Sequence, residues 1–90
     1  MASIKIPTPL RQYTGGNAEI SVEGATVGEA LQSLLAQYPD IKPHLFDGDE
    51  LRSFVNLFVG DEDVRFLQGL ETPLDADARL RIIPAIAGGW

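Results

Sequence analysis

Residues 26–39 read Thr26-Val-Gly-Glu-Ala-Leu-Gln-Ser-Leu-Leu-Ala-Gln-Tyr-Pro39. The Thr26 hydroxyl is suited to accept from a free N–H of a first helical turn, and Glu29, three positions on, has the reach to return to the cap. Val27, Ala30, Leu31, Leu34, Leu35 and Tyr38 recur at the spacing of one helical face, while Glu29, Gln32, Ser33 and Gln37 fall off it. Pro39 ends the run, because it donates no backbone hydrogen bond and pushes the residue before it out of helical geometry. The stretch predicts one amphipathic helix with a single buried face, which needs a second layer to lie against.

Working outward toward the N-terminus, Ala18, Ile20 and Val22 alternate with polar residues, Thr14-Gly15-Gly16-Asn17 supplies turn chemistry, and Ile4 and Ile6 alternate ahead of Pro7 and Pro9. This predicts a hairpin of two strands. The connection from Pro7 to Gly15 is too long for a tight turn, so Leu10 and Tyr13 are expected to fold back against the sheet edge. Beyond the helix, Asp40 to Ser53 mixes Pro43, Gly48 and acids with Ile41, Leu45, Phe46 and Leu51, the pattern of an irregular connection pinned at a few apolar points. Phe54 to Val59 is nearly continuous and β-rich, as expected of a central strand covered on both faces. Gly60-Asp61-Glu62-Asp63 breaks it, and a second hairpin is expected to return through Val64 and Phe66. Gln68-Gly69 and Thr72-Pro73 mark turns, and Leu80, Ile82 and Ile83 predict a last strand interrupted by Pro84.

The order strand, strand, helix, strand, short strand, strand is the α+β plan of a β-grasp, or ubiquitin-like, domain: a mixed sheet of four to five strands on one main helix. Residues 1–84 are assigned to that domain and residues 85–90 to a flexible C-terminal tail. A chain of 90 residues supports one core. With 44% hydrophobic and 22% charged residues it has the balance of a folded globular domain. There is no cysteine, which excludes disulfides, thiolate metal sites and a cysteine nucleophile. The N-terminus lacks a long apolar run behind a basic start, and no stretch approaches the roughly 18 apolar residues of a membrane span. A cytoplasmic protein without membrane attachment is expected. The net charge of −6, with seven basic residues spread along the sequence, argues against nucleic-acid binding and suits docking onto a basic partner surface.

Few side chains offer chemistry. His44 is the only histidine and follows Pro43, the pattern of a surface-loop residue. Asp47, Asp49 and Glu50 around Gly48 lack the alternating ligands and closing glutamate of a calcium loop. Asp61, Glu62 and Asp63 are consecutive and point in different directions, so they are read as a turn or a docking edge rather than paired acids. Phe58 and Phe66 become exposed apolar positions if Val55, Leu57 and Val59 face the helix. Such a patch fits a partner enzyme, with Arg65, Arg79 and Arg81 available to salt-bridge it.

Three segments carry a family likeness: Thr26-Val-Gly-Glu-Ala-Leu31, Phe54-Val-Asn-Leu-Phe-Val-Gly-Asp-Glu-Asp-Val-Arg-Phe66 and Ile83-Pro-Ala-Ile-Ala-Gly-Gly89. Together they resemble the MoaD/ThiS family of ubiquitin-like sulfur carriers, over nearly the whole chain. Ile6-Pro7-Thr8, Leu10-Arg11, Thr14-Gly15-Gly16 and the Asp-Glu-Asp turn are most similar to the carriers of thiocarboxylate-dependent cysteine biosynthesis. Two departures stand out: Gly60 replaces the asparagine common in relatives, and Trp90 follows the glycine pair that ends a mature carrier.

The resemblance implies that the protein is a co-substrate and not an enzyme, with no bound cofactor. Gly88 and Gly89 form the sulfur-carrying terminus, and the bond between Gly89 and Trp90 is the cleavage site, cut by a zinc peptidase of the JAMM type. An ATP-dependent activating enzyme then adenylates Gly89, sulfide converts it to a thiocarboxylate, and a pyridoxal-phosphate-dependent cysteine synthase takes the sulfur. The alternative acceptor is the large subunit of molybdopterin synthase. A ubiquitin-like protein modifier and a plain interaction module retaining Trp90 are the readings from other classes. Ala87, Phe58, Phe66 and Arg65 are the candidate docking residues. Physical sense supports the tail: glycines without Cβ atoms make a narrow tip, and the five residues Ala85 to Gly89 span roughly 17 Å when extended.

Overall fold

The structure is a computed structural model and describes residues 2–48, 50–52 and 55–84. Strand β1 (Ala2–Lys5) pairs antiparallel with β2 (Glu19–Val22), Ile4 opposite Ile20, as the alternating pattern predicts. The connection between them is a 3-10 helix over Thr8–Thr14, and Leu10 and Tyr13 lie half-buried against the core. Thr14, fully buried, donates from Oγ1 to the Asn17 carbonyl at 3.0 Å, and Asn17 Nδ2 donates back to the Thr14 carbonyl at 2.9 Å. Gly15 turns the chain there at φ 65°, a conformation that costs glycine little.

Helix α1 spans Val27–Gln37 and buries Val27, Ala30, Leu31, Leu34 and Leu35. Thr26 Oγ1 accepts from the Glu29 amide at 3.2 Å, while Glu29 Oε1 accepts from the amide of Ala25 at 2.9 Å, one residue before the cap. Two donors are satisfied as in a capping box, displaced by one position on the return leg. Thr26→Ala is expected to remove about 1 kcal/mol of stability, read as a lower urea midpoint with unchanged slope.

The sequence between α1 and the next long strand is more ordered than the expected loop. It forms a 3-10 turn (Pro39–Ile41), a short helix α2 (Lys42–Leu45) and a two-stranded ribbon of β3 (Phe46–Asp47) and β4 (Glu50–Leu51). The expected apolar anchors hold it: Ile41, Leu45 and Phe46 are buried and Leu51 is half-buried against the core. His44 sits on α2, half-buried, with its ring stacked on Tyr13 at 4.1 Å between centroids, and not on a free surface loop.

Strands β5 (Val55–Val59), β6 (Glu62–Asp63) and β7 (Arg79–Pro84) complete a five-stranded sheet in the order β2-β1-β7-β5-β6, with β1 and β7 parallel and the other pairs antiparallel. Three expectations need correction. The central strand is β7, and β5 is covered on one face only: Val55 and Leu57 are buried but Asn56 and Phe58 are half-exposed. The hairpin return ends at Asp63, and Val64–Phe66 is a 3-10 turn. Pro84 does not interrupt the last strand but is its final paired residue, opposite Val55. Pairing of β7 with β1 has already stopped at Arg81, so the missing N–H falls where the strand has a neighbour on one side only.

The core lies between α1 and one sheet face, where Leu31 and Leu34 meet a layer that includes Ile4, Val22, Leu57, Leu80 and Ile82. Full burial of each such side chain is worth about 1.5–3 kcal/mol. Among the described residues, the opposite sheet face carries no helix. The β2 edge is covered at its end, where Gln37 Nε2 donates to the Ser21 carbonyl at 2.9 Å and Ser33 Oγ accepts from the Glu23 amide at 3.1 Å. That leaves fewer backbone groups for another chain to pair with. No helix among the described residues is long and apolar enough to cross a membrane.

Candidate functional site

The carrier terminus expected from sequence, Gly88 and Gly89, lies outside the described residues, as do Ala87 and Trp90. The structure describes the platform at its root. Leu80 and Ile82 of β7 point into the core, so by strand alternation Arg79, Arg81 and Ile83 stand on the helix-free face. The register then sets Arg81 between Lys5 and Phe58, and Ile83 beside Asn56.

Arg81 is held by three contacts. Its Nη2 donates to the Gly60 carbonyl at 3.1 Å and approaches Asp61 Oδ1 at 3.7 Å, and its guanidinium carbon lies 5.5 Å from the centre of the Phe58 ring. Phe58 does face away from the helix as the alternation predicts, but Arg81 half-covers it. Sequence reading had no signal for this, because the pairing depends on β5 and β7 being neighbours.

Among the described residues β6 pairs only with Phe58 and Val59 of β5, and Arg65 occupies the outer edge beside Val55 and Asn56. Nη2 donates to the Val55 carbonyl at 2.8 Å and Nη1 to Asn56 Oδ1 at 3.1 Å. Its own amide donates to Asp63 Oδ1 at 2.8 Å, a cap on the Val64–Phe66 turn. The side chain therefore lies along that strand edge. Arg65→Ala is expected to cost roughly 1 kcal/mol, the net worth of a partly hydrated hydrogen-bonded cation, and to loosen amide-exchange protection locally over residues 64–67.

Phe66 is not on a strand. It projects from that turn with 86% of its surface exposed, the most exposed large hydrophobic residue among those described, with Leu67 at 39% beside it and Ile83 at 40% on β7.

The basic residues are not dispersed in space. Lys5, Arg65, Arg79 and Arg81, four of the seven, gather on or beside the helix-free face. Glu19, Asp61, Asp63 and Asp77 lie among or next to them, so the face is charge-balanced and the surplus of acid falls on the rest of the surface. Among the described residues no group of His, Asp or Glu is arranged to hold a metal ion.

The chain is similar to known proteins in both sequence and fold. The ThiS family model matches residues 4–89, ending on the second glycine and leaving Trp90 outside. The sulfur carrier protein CysO of Mycobacterium tuberculosis is 42% identical over 90 residues, covering 97% of each chain. Small archaeal modifier protein 3 of Haloferax volcanii is 34% identical over 67 residues, 74% of this chain and 73% of that one. Among solved structures, the Amycolatopsis orientalis BexX/CysO complex superimposes with a TM-score of 0.92 at 40% identity, over 99% of this chain and 100% of the matched one. Small archaeal modifier protein 1 of Methanosarcina acetivorans does so at 0.87 and 32%, over 98% and 95%. A family match through all but four residues, together with sheet order, helix and register, makes this chain a β-grasp member of the ThiS family.

Proposed function

We propose that this chain is a sulfur carrier for cysteine biosynthesis, acting as a co-substrate whose Gly89 carboxylate is the reacting group. The observation that supports this most is that the family match runs through Gly88 and ends at Gly89, while the carriers it resembles over 97% of their length are named CysO. In this reading, anything beyond Gly89, Trp90 included, is first removed by hydrolysis, for which a JAMM-type zinc peptidase is the expected agent. The freed carboxylate oxygen attacks the α-phosphorus of ATP on an activating enzyme and pyrophosphate leaves. Hydrosulfide then attacks the acyl-adenylate carbon, AMP leaves, and one proton is released as the thiocarboxylate forms. Adenylation is needed because a carboxylate alone is a poor electrophile. A pyridoxal-phosphate-dependent cysteine synthase accepts the sulfur. Phe58, Phe66, Arg65 and Ala87 are assigned to contact with these enzymes, and the fold supplies a base from which a thin tail reaches a buried site.

The test is the intact mass of the protein isolated from its own cells. The expected species ends at Gly89 and includes a fraction with one oxygen exchanged for sulfur. Protein that keeps Trp90 throughout and never gains sulfur would overturn the reading.

A second reading, a protein modifier joined through Gly89 to lysines, is favoured by the likeness to two small archaeal modifier proteins. It predicts Gly-Gly remnants on lysines of other proteins after proteolysis. Transfer of sulfur without any such remnants separates the two.

A further inference from the structure

The helix-free face carries positive charge that its own residues leave partly unused. With Ile4, Ile20 and Leu80 buried, alternation puts Lys5, Glu19, Arg79 and Arg81 on that face, where they line a hollow of about 450 Å³. Three cations there meet one acid, Glu19, and Asp77 stands with Ser3 on the other side of Arg79. Among the described residues, Lys5 and Arg79 have no side-chain hydrogen bond or ion pair. Arg81 is tied to Gly60 and Asp61 and lies over Phe58, yet 42% of its side chain stays exposed. Four acids and four basic residues gather on or beside this face, which leaves nine acids against three basic residues in the rest of the sequence. An anionic group attached to the chain is therefore drawn to this face and repelled from the remaining surface.

Such a group is close at hand. Residues 85–90, Ala-Ile-Ala-Gly-Gly-Trp, carry no charged side chain, so in a chain ending at Trp90 their charge is the Trp90 carboxylate. The tail leaves β7 at Pro84, three residues or about 10 Å from Arg81. Lys5 is the register partner of Arg81 on β1, about 4.8 Å across. Ile83, 40% exposed, lies between Arg81 and the tail root on the same face. Six residues span roughly 20 Å when extended, which leaves enough chain for a reversal and a return. Ala85-Ile86-Ala87-Gly88 has the glycine that a type I turn favours at its fourth position.

From this we propose that the untrimmed C-terminus folds back onto the helix-free face and latches there. A turn over residues 85–88 sets Gly89 level with Pro84 and Trp90 level with Ile83. The Trp90 carboxylate then meets the Lys5 ammonium at the mouth of the hollow, and the indole rests on Ile83 against the exposed part of the Arg81 guanidinium. Between separate molecules such contacts are weak, but a six-residue tether holds them at an effective concentration in the millimolar range. The seat withholds the Gly89–Trp90 bond from solution, and a chain trimmed to Gly89 lacks the indole and ends one residue short of it. The seat itself is independent of the carrier reading.

Trp90 is the only tryptophan, so its fluorescence reads the seat directly. In the 90-residue chain its emission is expected at shorter wavelength than that of the peptide Gly-Gly-Trp. Acrylamide is expected to quench it about threefold less efficiently, as for an indole seated about two-thirds of the time. Lys5→Gln combined with Ile83→Ala changes two exposed positions, so the melting temperature should hold while emission and quenching return to those of the peptide. Carboxypeptidase A, which releases C-terminal aromatic residues, is expected to free Trp90 from this variant about threefold faster than from the parent, by the same seated fraction. Arg79→Gln, four residues from Ile83 at the far end of the hollow, is expected to change neither readout. If the parent quenches like the peptide and loses Trp90 as fast as the variant, the latch is wrong and the carrier reading stands. If the double variant behaves like the parent, the indole seats elsewhere and the assigned site is wrong. If the blue shift grows with protein concentration, the face takes the tail of a second copy and the proposed occupant is wrong. A chain that latches as expected but never gains sulfur after trimming overturns the carrier reading and leaves the latch.

Discussion

Ended at Gly89 and incubated with its activating enzyme, ATP and sulfide, the protein is expected to exchange one oxygen for sulfur, whereas the chain retaining Trp90 gains none. The loss is expected to be complete and not graded. With Trp90 present the terminal carboxylate belongs to another residue, one peptide unit, about 3.5 Å, further along the chain, and adenylation depends on placing the carboxylate within attack distance of phosphorus. The indole also brings a bulk that a channel sized for glycine cannot admit, because Gly88 and Gly89 are narrow only for want of a Cβ. Gly89→Ala is the finer probe: it keeps a carboxylate at the correct position and adds one methyl, so activation should fall without disappearing. Intact-mass measurement over time reads all three chains. Sulfur loading of the Trp90 chain at the rate of the trimmed one would end the carrier account as stated.

The second large effect is structural. Gly24 is expected to tolerate no side chain, and Gly24→Ala to cost about 3 kcal/mol through backbone strain and a clash. Its φ of +149° is one that L-residues rarely adopt, and a Cβ there would stand 2.6 Å from Glu29 Cβ, 2.7 Å from the Ala30 amide nitrogen and 2.8 Å from the Glu29 carbonyl carbon. Two of these atoms belong to the backbone of the first helical turn, so relief requires α1 to move off the sheet or its cap to open. Thr26 and Ala25 both hydrogen-bond to Glu29, which makes the cap part of the damage. At about 4–8 °C per kcal/mol for a domain of this size, the melting temperature should fall steeply. Gly16→Ala is the comparison, since no atom lies within 4 Å of the Cβ it adds and only its φ of +83° opposes it. Equal stability losses at Gly24 and Gly16 would show that strain alone, without the helix contact, sets the cost.

Gly24 illustrates what sequence reading missed. The residue stands between Val22 and Thr26 as an unremarked turn glycine, and nothing local tells that the helix start lies against it. Gly28 is similar: in sequence it is one residue of a family pattern, and in the structure a Cβ there would come within 3.1 Å of the Leu70 carbonyl oxygen. The same holds for Phe58 and Phe66. Alternation correctly turned Phe58 away from the helix, but whether it was open depended on Arg81 from a strand more than twenty residues away. The hairpin pattern puts Phe66 on a strand as well, but Asp63 caps the Val64–Phe66 turn and takes it out of the ladder.

The sequence by itself determined the helix Val27–Gln37, its Thr26 cap and its buried face, the first hairpin, the single core and the glycine pair that any carrier chemistry must use. These are consequences of short-range rules: caps act within three or four residues, proline acts on its neighbour, and periodicity is counted along one segment. Only the tertiary structure decided that β7 is the central strand, that Arg65 lies along the outer edge of β5, and that β5 stands between the exposed Phe66 turn and Pro84. Pairing Ser3 with Arg79 or Val55 with Pro84 joins distant parts of the chain. Many such pairings satisfy the same alternation of apolar and polar residues. The choice among them is made by the packing of the whole sheet against one helix, a property of the assembled core and of no single segment.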